Sequence, residues 1–400
     1  MGGCAQATRP IALLYCHDTF GLGHLRRTVA VAEELRRRCP GLSALVATGS
    51  PVAHRFRLPD GVDYLKLPAV AKRGDGLYAA RTLPLEFDRL LALRRDLLLS
   101  AARHLRPHLV VVDNVPGGLA GEATPALEEL RRAGTSTLVL GLRDVVDEPS
   151  RVRRAWTRDG SYALLDELYD RILVYGEETI FDAVSEYRFS SRAAAKTRYV
   201  GYLQRAGRDV ADPGTPARVL VTVGGGEDGE TLLRAALAAR LRMPPGAARW
   251  LVVTGPFLPA ARRAALAAEA ARMPGITLVE FVDDLPGAIA ESAAVVSMAG
   301  YNSVCEILSA GRPAVLVPRV QPRLEQLVRA RALERRGLVR VLPPDRLTPD
   351  TLAGEIQTLL EPVTVPGRPV DLGGLARTGD ELIGLLGRDR PAAALAGGPR

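Results

Sequence analysis

SMAGYNSVCEILSAGRPAVLVPR, residues 297–319, places a helix between two apolar strands. The first strand is predicted over residues 293–298, the helix begins near Gly300, and the second strand covers residues 314–319. Glu306 stands about one turn into the helix. A strand, a helix and a second strand form the repeating unit of a parallel sheet, because parallel neighbours need a crossover connection. The stretch therefore predicts an α/β fold.

The same alternation of apolar runs and helix-length periodic segments extends along the chain. Predicted strands such as residues 11–16, 109–113 and 250–255 are apolar throughout rather than at every second residue. Strands of this composition are typical of parallel sheets that are covered on both faces. The sequence therefore predicts doubly wound parallel sheets of the Rossmann-like α/β class.

A change in composition divides the chain. Residues 204–217 are polar, contain proline and glycine and lack periodicity, which is typical of a linker. We therefore predict an N-terminal lobe over residues 1–203, a C-terminal lobe over residues 218–386, and a disordered tail over residues 387–400. Two lobes of one class predict an architecture in which two sheets face a cleft, with ligands beyond the carboxyl ends of the strands.

The composition is that of a globular protein, since 47% of the 400 residues are hydrophobic and 24% are charged. No apolar run reaches the roughly 18 residues of a membrane span. The run at residues 11–16 is also shorter than the roughly 7–15 residues of a signal-peptide core. The four cysteines lack the spacing of a metal site. We therefore predict a cytoplasmic protein with no cofactor and no bound metal.

The net charge of the chain is +8 and its isoelectric point is about 9.6. Most basic residues are arginines scattered along predicted helices, as at residues 35–38 and 329–336. RNA-binding aromatic signatures and zinc-finger spacings are absent from the sequence, so we predict no nucleic-acid partner. An arginine-rich composition explains the charge on its own. The alternative is a basic face for an anionic donor, an acceptor or peripheral contact with the inner face of a membrane.

Two strand ends in the C-terminal half carry residues that suit a bound nucleotide. Gly224, Gly225 and Gly226 follow an apolar strand, and they allow a backbone to approach a ligand closely before a helix start that offers free N–H groups. A tight turn is the alternative. In FVDDLP, Asp283 or Asp284 is expected to cap the following helix.

The helix of the opening stretch carries the stronger signal. Asn302 or Ser303 is expected to cap it, and the N–H groups of its first turn are suited to an anion. Glu306 lies beside that position, where a carboxylate can accept two hydrogen bonds from a vicinal diol such as ribose. A glutamate that is merely favoured by the helix dipole is the alternative. Glu325 and Gln326, at the next helix start, can bind sugar hydroxyls or belong to a solvated helix face.

In this order, the motifs resemble the nucleotide-sugar domain of GT-B glycosyltransferases of the peptidoglycan N-acetylglucosaminyltransferase type, in glycosyltransferase family 28. The resemblance covers about residues 218–340. It rests on VTVGGGEDG, EFVDDLP, the pattern S-x-x-G-x-x-S-x-x-E that ends at Glu306, GRPAVLVP, and the pair Glu325–Gln326.

The resemblance implies GT-B architecture, a nucleotide-sugar donor such as a UDP-sugar, and a role for each matching residue. Glu306 would bind the ribose, and Glu325 with Gln326 would bind the donor sugar. The family often has Gln-Gln or Asp-Gln at this pair, so the identity of the sugar stays open. The residues expected to contact the diphosphate are Gly224, Gly225, Gly226, Gly300, Asn302 and Ser303. The backbone of Val282 would contact the uracil, and Phe281 would lie beside the uracil.

The loop after the first strand, DTFGLGHLRR, carries a histidine at a helix start. Gly21 and Gly23 allow a tight loop, and the helix dipole would keep the imidazole of His24 neutral. A neutral histidine can take a proton from an attacking hydroxyl, whereas a capping or core histidine is the alternative. Gly-x-Gly-His also matches the family, and this match implies that the histidine contacts the acceptor or takes part in catalysis. Arg26 and Arg27 are expected to meet a phosphate.

Asp113 ends the strand at residues 109–113. In related enzymes an acid from this lobe assists the base, so the resemblance makes Asp113 the second catalytic candidate beside His24. Arg143 and Asp144, at the end of another predicted strand, are expected on the acceptor side.

The predicted function is an inverting, metal-independent glycosyl transfer from a nucleotide diphosphate sugar to a hydroxyl acceptor, which is a small molecule, a glycan or a lipid-linked compound. The leaving diphosphate would be stabilised by helix N-termini and the glycine loop. Two alternatives stay open at this point. One is a GT-B-like hydrolase in which water replaces the acceptor, and the other is a non-catalytic module that binds nucleotide sugars or polyanions.

Overall fold

The structure is a computed structural model that describes residues 9–17, 23–72, 78–204, 218–244, 246, 248–361 and 370–387. The chain divides into two compact units, each built around its own parallel sheet. The first unit comprises Met1–Glu178, Asp182–Tyr202 and Gly373–Arg400, and the second comprises Thr179–Phe181 and Leu203–Leu372.

The strands of the first unit are β1 Ile11–Cys16, β2 Ser43–Thr48, β3 Val62–Lys66, β4 Val70–Lys72, β5 Tyr78–Ala80, β6 Leu109–Asp113, β7 Thr137–Arg143, β8 Arg171–Tyr175 and β9 Thr197–Tyr199. Seven of them form a parallel sheet in the order β3-β2-β1-β6-β7-β8-β9, while β4 and β5 form an antiparallel hairpin. The central strand β6 is buried along its whole length, in agreement with its uninterrupted apolar sequence. Because β1 lies between β2 and β6, the strand order reverses there, which creates a switch point at the carboxyl ends of β1 and β6.

The helices of this unit up to residue 195 are α1 Gly23–Arg38, α2 Phe87–Leu105, α3 Thr124–Ala133, α4 Pro149–Arg158, α5 Ser161–Glu167, α6 Ala183–Glu186 and α7 Ser191–Ala195. Helix α4 was not predicted from the sequence. Its N-terminus is capped by Glu148, whose side chain accepts hydrogen bonds from the N–H groups of Ser150 and Arg151, both at 3.0 Å. Its one aromatic residue, Trp156, is buried against Tyr187.

The second unit contains the strands β10 Arg218–Thr222, β11 Arg249–Val253, β12 Ile276–Val279, β13 Ala294–Ser297, β14 Ala314–Leu316 and β15 Arg340–Val341. Its helices are α8 Glu230–Arg240, α9 Ala260–Ala270, α10 Leu285–Ala290, α11 Tyr301–Ala310, α12 Glu325–Arg335 and α13 Pro349–Leu360. The six strands form one parallel sheet in the order β12-β11-β10-β13-β14-β15. The order reverses at β10, so this sheet has its switch point at the carboxyl ends of β10 and β13.

The last helix, α14 Gly374–Leu386, belongs to the first unit, although the sequence analysis assigned residues up to 386 to the C-terminal lobe. It packs along α1, and Arg38 joins the two helices through an ion pair with Asp380 and a 2.7 Å hydrogen bond to the carbonyl of Ala376. Gly379 permits this approach, since a Cβ there would lie 2.4 Å from Nε of Arg38. Residues 205–217 of the predicted linker and 388–400 of the predicted tail lie outside the described residues.

Candidate functional site

His24 and Asp113 lie together at the switch point of the first sheet. His24 is the second residue of α1, which follows β1, and Asp113 is the last residue of β6, the neighbour of β1. Nδ1 of His24 lies 2.5 Å from Oδ2 of Asp113. A carboxylate can only accept, so the neutral imidazole donates through Nδ1 and keeps Nε2 as its acceptor.

Arg27 completes this group from the same face of α1, three residues after His24. Its Nε donates to Oδ1 of Asp113 and its Nη2 donates to Oδ2, both at 2.7 Å, which is the two-point geometry of an arginine–carboxylate pair. The side chain of Arg27 is only 2% exposed. The expectation that Arg27 meets a phosphate is therefore wrong, because its guanidinium is buried and engaged with Asp113.

Burial sets the charge of this group. It lowers the pKa of His24 to about 4. Asp113 opposes this decrease, and the charges of Arg27 and Arg143 add smaller decreases. Burial alone would raise the pKa of Asp113, but Arg27 and His24 hold it well below its usual range. At pH 7 the imidazole is therefore neutral and the carboxylate is ionised. A neutral imidazole was expected from the helix dipole, whereas burial is the main cause of the low pKa of His24.

Two aromatic rings lie beside the group, and Asn114 follows Asp113 in the chain. The ring of His17 lies 4.5 Å from the ring of His24, and the ring of Tyr175 lies 5.9 Å from the guanidinium carbon of Arg27. Asn114 adopts a left-handed backbone conformation and accepts a 3.2 Å hydrogen bond from Nε of Arg143. Of the loop glycines, Gly23 begins α1, and Gly21 lies outside the described residues.

The glycine loop after β10 packs tightly against the loop after β11. The N–H of Phe257 donates to the carbonyl of Gly225 at 2.8 Å. Gly224 and Gly226 have φ values of 65° and 92°, and a Cβ on Gly226 would lie 2.2 Å from the carbonyl oxygen of Thr254. Both the backbone conformation and the close contact therefore require glycine at residue 226.

Gly226→Ala is expected to lower the free energy of unfolding by about 2 kcal/mol, since it adds backbone strain and a clash with Thr254. The matched control is Gly354→Ala in α13, where a Cβ meets no atom within 4 Å and alanine should stabilise the helix by about 0.5–1 kcal/mol. Urea unfolding monitored by circular dichroism measures both. Wild-type stability of Gly226→Ala would show that the loop has room for a side chain.

The start of α11 lies at the neighbouring strand end and leaves backbone N–H groups without a side-chain cap. Gly300 is the N-cap residue, and no side chain caps the helix. The expected capping by Asn302 or Ser303 is therefore wrong, because both residues lie inside the first turn. Glu306 is half-buried and follows Asn302 by four residues, so the two share one face of the helix.

Arg319 connects three residues of the second unit, and the sequence analysis did not identify it. Its Nη1 donates to Asp228 at 2.9 Å and its Nη2 donates to Glu325 at 2.5 Å. Its backbone N–H donates to Oε1 of Gln326 at 2.9 Å. Glu325 and Gln326 are buried rather than solvated, which contradicts the solvated helix face. The sequence signal that could have identified Arg319 is its place as a charged residue at the end of the apolar run PAVLVPR.

The predicted contacts for the base lie between β12 and α10. Phe281 is 48% exposed and Val282 is half-buried. Both belong to the connection after β12, a strand that ends at Val279. Asp284 caps α10 by accepting a 2.9 Å hydrogen bond from the N–H of Gly287, as one of the two predicted aspartates was expected to do.

Neither metal clusters nor membrane spans are found in the part of the chain that the structure describes. Among these residues, no group of three or more His, Cys, Asp or Glu side chains could hold a metal ion. Within the same ranges, no helix has the length and apolar character required to cross a bilayer.

Comparison with known sequences places these residues in a family. Residues 219–366 match the model of the glycosyltransferase family 28 C-terminal domain. A protein of Paracidovorax citrulli, named UDP-N-acetylglucosamine--N-acetylmuramyl-(pentapeptide) pyrophosphoryl-undecaprenol N-acetylglucosamine transferase, is 30% identical over 304 residues, which are 74% of this chain and 75% of that protein. The chain belongs to glycosyltransferase family 28. A transferase of the same name from Syntrophotalea carbinolica is 39% identical over 89 residues, which are 22% of this chain and only 25% of that protein.

Solved structures show that this family 28 chain has the GT-B fold. The crystal structure of CalG4, the calicheamicin glycosyltransferase, matches with a TM-score of 0.65 and 19% identity, over 96% of this chain and 100% of that chain. The crystal structure of Acinetobacter baumannii MurG matches with a TM-score of 0.62 and 16% identity, over 94% and 99% of the two chains. The family assignment and the fold together identify this protein as a glycosyltransferase, and the family model covers the glycine loop, the start of α11 and Arg319.

Proposed function

We propose that this glycosyltransferase moves a sugar from a UDP-sugar to a hydroxyl acceptor, with inversion at the anomeric carbon and without a metal ion. The observation that carries the proposal is the 2.5 Å contact between Nδ1 of His24 and Asp113, which leaves Nε2 of a neutral imidazole to accept a proton. Support for the donor comes from the family 28 relatives, whose names include UDP-N-acetylglucosamine.

The donor belongs at the switch point of the second sheet in this proposal. The uncapped N–H groups at the start of α11 suit the diphosphate, because a helix N-terminus carries a partial positive charge. The glycine loop offers backbone at close range, whereas the start of α8 carries Asp228 and Glu230, which are already paired with arginine side chains. We therefore assign the diphosphate to α11 and the glycine loop, the ribose to Glu306, and the donor sugar to Glu325 and Gln326.

The remaining donor assignments concern the base. Phe281 is exposed, and Val282 follows it in the connection between β12 and α10. We assign the backbone of Val282 to the edge of the uracil and Phe281 to its side. The sugar itself is not specified by these residues, because Glu325 forms an ion pair with Arg319 and both Gln326 and Glu325 have oxygen atoms that suit several hydroxyl patterns.

The chemical step is a single displacement. The acceptor hydroxyl attacks the anomeric carbon while Nε2 of His24 takes its proton, and the bond to the diphosphate breaks on the opposite side of the carbon. One displacement of this kind inverts the anomeric configuration. Backbone N–H groups at α11 and the glycine loop would stabilise the charge that develops on the leaving diphosphate, so the proposed step needs no metal ion.

The acceptor is proposed to be a hydroxyl of a lipid-linked compound, with small molecules and soluble glycans as the alternatives to be tested. The names of the family 28 relatives describe a pyrophosphoryl-undecaprenol acceptor. A lipid-linked acceptor would require peripheral contact with the inner face of the membrane, and the net charge of +8 suits an anionic surface. Cosedimentation with vesicles of anionic and of neutral lipid would test this contact.

A thermal-shift panel of UDP, UDP-sugars, GDP-sugars and dTDP-sugars is expected to show stabilisation by the uridine compounds alone. A ligand at 100 times its Kd stabilises a protein by about 2.7 kcal/mol. Glu306→Ala should weaken binding of UDP by about 10–100-fold, because a hydrogen bond to a carboxylate contributes roughly 1.5–3 kcal/mol. The matched control is Glu269→Ala, which removes an exposed glutamate from α9 of the same unit and should leave the shift unchanged.

Two outcomes of this panel would contradict the donor assignment. If UDP stabilises the wild type and Glu306→Ala equally, Glu306 does not bind the ribose. If no compound shifts the melting temperature, the proposed donor site is wrong. Release of UDP from a UDP-sugar is then followed with and without added lipid-linked and soluble acceptors. Release of UDP without any acceptor would show that the protein hydrolyses the donor rather than transferring its sugar.

A further inference from the structure

Arg27 is buried beside the catalytic pair of the proposed function, although its charge would be expected at the surface. Its side chain is 2% exposed, and burying a charge is costly unless the charge is paired. The pairing is with Asp113, whose Oδ1 and Oδ2 accept from Nε and Nη2 of Arg27 at 2.7 Å each. The guanidinium therefore fixes both oxygens of the carboxylate, including the one that contacts His24.

The shared oxygen links the arginine to the histidine. Oδ2 of Asp113 accepts from Nη2 of Arg27 and lies 2.5 Å from Nδ1 of His24, while Nη2 itself lies 3.2 Å from Nδ1. Because Nη2 always carries protons, it cannot share the proton of Nδ1, and both donors must converge on Oδ2. Rotation of the carboxylate would break the contacts with both partners at once.

We propose that Arg27 is a positioning residue of this glycosyltransferase: it holds the carboxylate of Asp113 by both oxygens and so fixes the orientation and the tautomer of His24. The proposal rests on the proposed role of His24 as the base that accepts the proton of the acceptor hydroxyl. Arg27 touches neither the acceptor nor the donor in this scheme and acts through Asp113.

The charge of Arg27 has a second effect on the same imidazole. The charged and titratable groups around His24 are Asp113 from β6, Arg27 from α1, Arg143 from the end of β7 and His17 after β1, with Tyr175 of β8 beyond Arg27. Arg27 offsets the charge of Asp113, which on its own would favour a protonated imidazole. A His24–Asp113 pair without Arg27 is therefore expected to hold an additional proton at weakly acid pH.

NMR titration of labelled histidine in the full chain tests this proposal without any sugar transfer. In Arg27→Met the pKa of His24 is expected to rise by about one unit or more, because a cation close to the ring is removed. Arg27→Lys keeps the charge but not the two-point contact, so the pKa should change less while the fraction of the tautomer protonated at Nδ1 falls. His24→Gln assigns the resonance, and Arg103→Met removes an exposed arginine of the same unit as the matched control.

The outcomes separate this proposal from the proposed function. A folded Arg27→Met variant with the wild-type pKa and tautomer of His24 would overturn the positioning role. If Arg27→Met does not fold, Arg27→Gln makes the same test, because its amide still donates to Asp113 without a charge. If the pKa of His24 rises in Arg27→Met but the wild-type protein transfers no sugar, the result supports the role of Arg27 and refutes the proposed function. If sugar transfer occurs, the acid limb of its kcat/KM profile should move to higher pH in Arg27→Met, along with the NMR value.

Discussion

His24→Ala is expected to lower the rate of sugar transfer by about 10²–10⁴-fold while leaving the affinity for UDP unchanged. The variant removes the acceptor of the hydroxyl proton from the first unit, whereas the proposed donor residues belong to the second unit. Asp113→Asn should also reduce the rate, because an amide can donate to Nδ1 of His24 and shift the ring proton to Nε2, where it blocks proton uptake. Initial rates at saturating UDP-sugar and a parallel thermal shift with UDP measure the two effects.

The pH dependence of the same reaction follows from the neutral state of His24. The imidazole accepts a proton only when it is neutral, so kcat/KM should be constant above the pKa of about 4 and decrease as the pH falls through it. The matched control is His104→Ala, which removes an exposed histidine near the end of α2 and should leave the rate unchanged. Wild-type rates in His24→Ala would refute the role of His24 as the base, and a loss of UDP binding in that variant would mean that it damages more than the proton transfer.

The strands and their order in the chain were predictable because they depend on local sequence. Residues 11–16 and 109–113 are apolar throughout, and they form β1 and β6 with the predicted bounds. The structure places β1 beside β6, so the segment after β1 lies next to the end of β6, whereas Asp113 was proposed beside His24 because of the resemblance alone. The resemblance to family 28 added their chemical roles, and these roles stay predictions until the variants are measured.

Contacts between distant segments could not be predicted in the same way. The pairing of Arg27 with Asp113 spans 86 residues, and a basic residue after a glycine loop equally suits a phosphate. Arg319 looked like the end of a strand, whereas its side chain joins the glycine-loop segment at Asp228 to Glu325. The helix α14 buries one of its faces against α1 in the first unit. A periodic apolar pattern predicts that a helix face is buried, but it does not indicate which partner covers that face.

The largest effect on stability is expected at a buried network that the sequence analysis did not identify. Arg94 and Glu122 are both 0% exposed, and Nε and Nη2 of Arg94 each donate to Glu122 at 2.6 Å. The hydroxyl of Tyr15 donates to Glu122 at 2.6 Å and accepts a 3.0 Å hydrogen bond from the N–H of Leu119. Burial and the adjacent carboxylate raise the pKa of Tyr15, so its hydroxyl keeps the proton that it donates.

Glu122→Gln is expected to lower the free energy of unfolding by about 3–5 kcal/mol, since it leaves the charge of Arg94 buried without a counter-ion. The matched control is Glu129→Gln, which removes the charge from partly exposed ion pairs with Arg103 and Arg132 and should leave the free energy of unfolding nearly unchanged. Urea unfolding of the two variants and of the wild type provides the comparison.

The double variant Arg94→Met/Glu122→Leu distinguishes a costly unpaired charge from a general loss of packing. Removal of both charges from a buried pair is often nearly neutral, because the desolvation of the two ions is no longer required. The double variant should therefore be more stable than Glu122→Gln, although the hydroxyl of Tyr15 loses an acceptor that contributes about 1 kcal/mol. If the double variant is as unstable as Glu122→Gln, the network stabilises the first unit through its shape and hydrogen bonds rather than through the compensation of a buried charge.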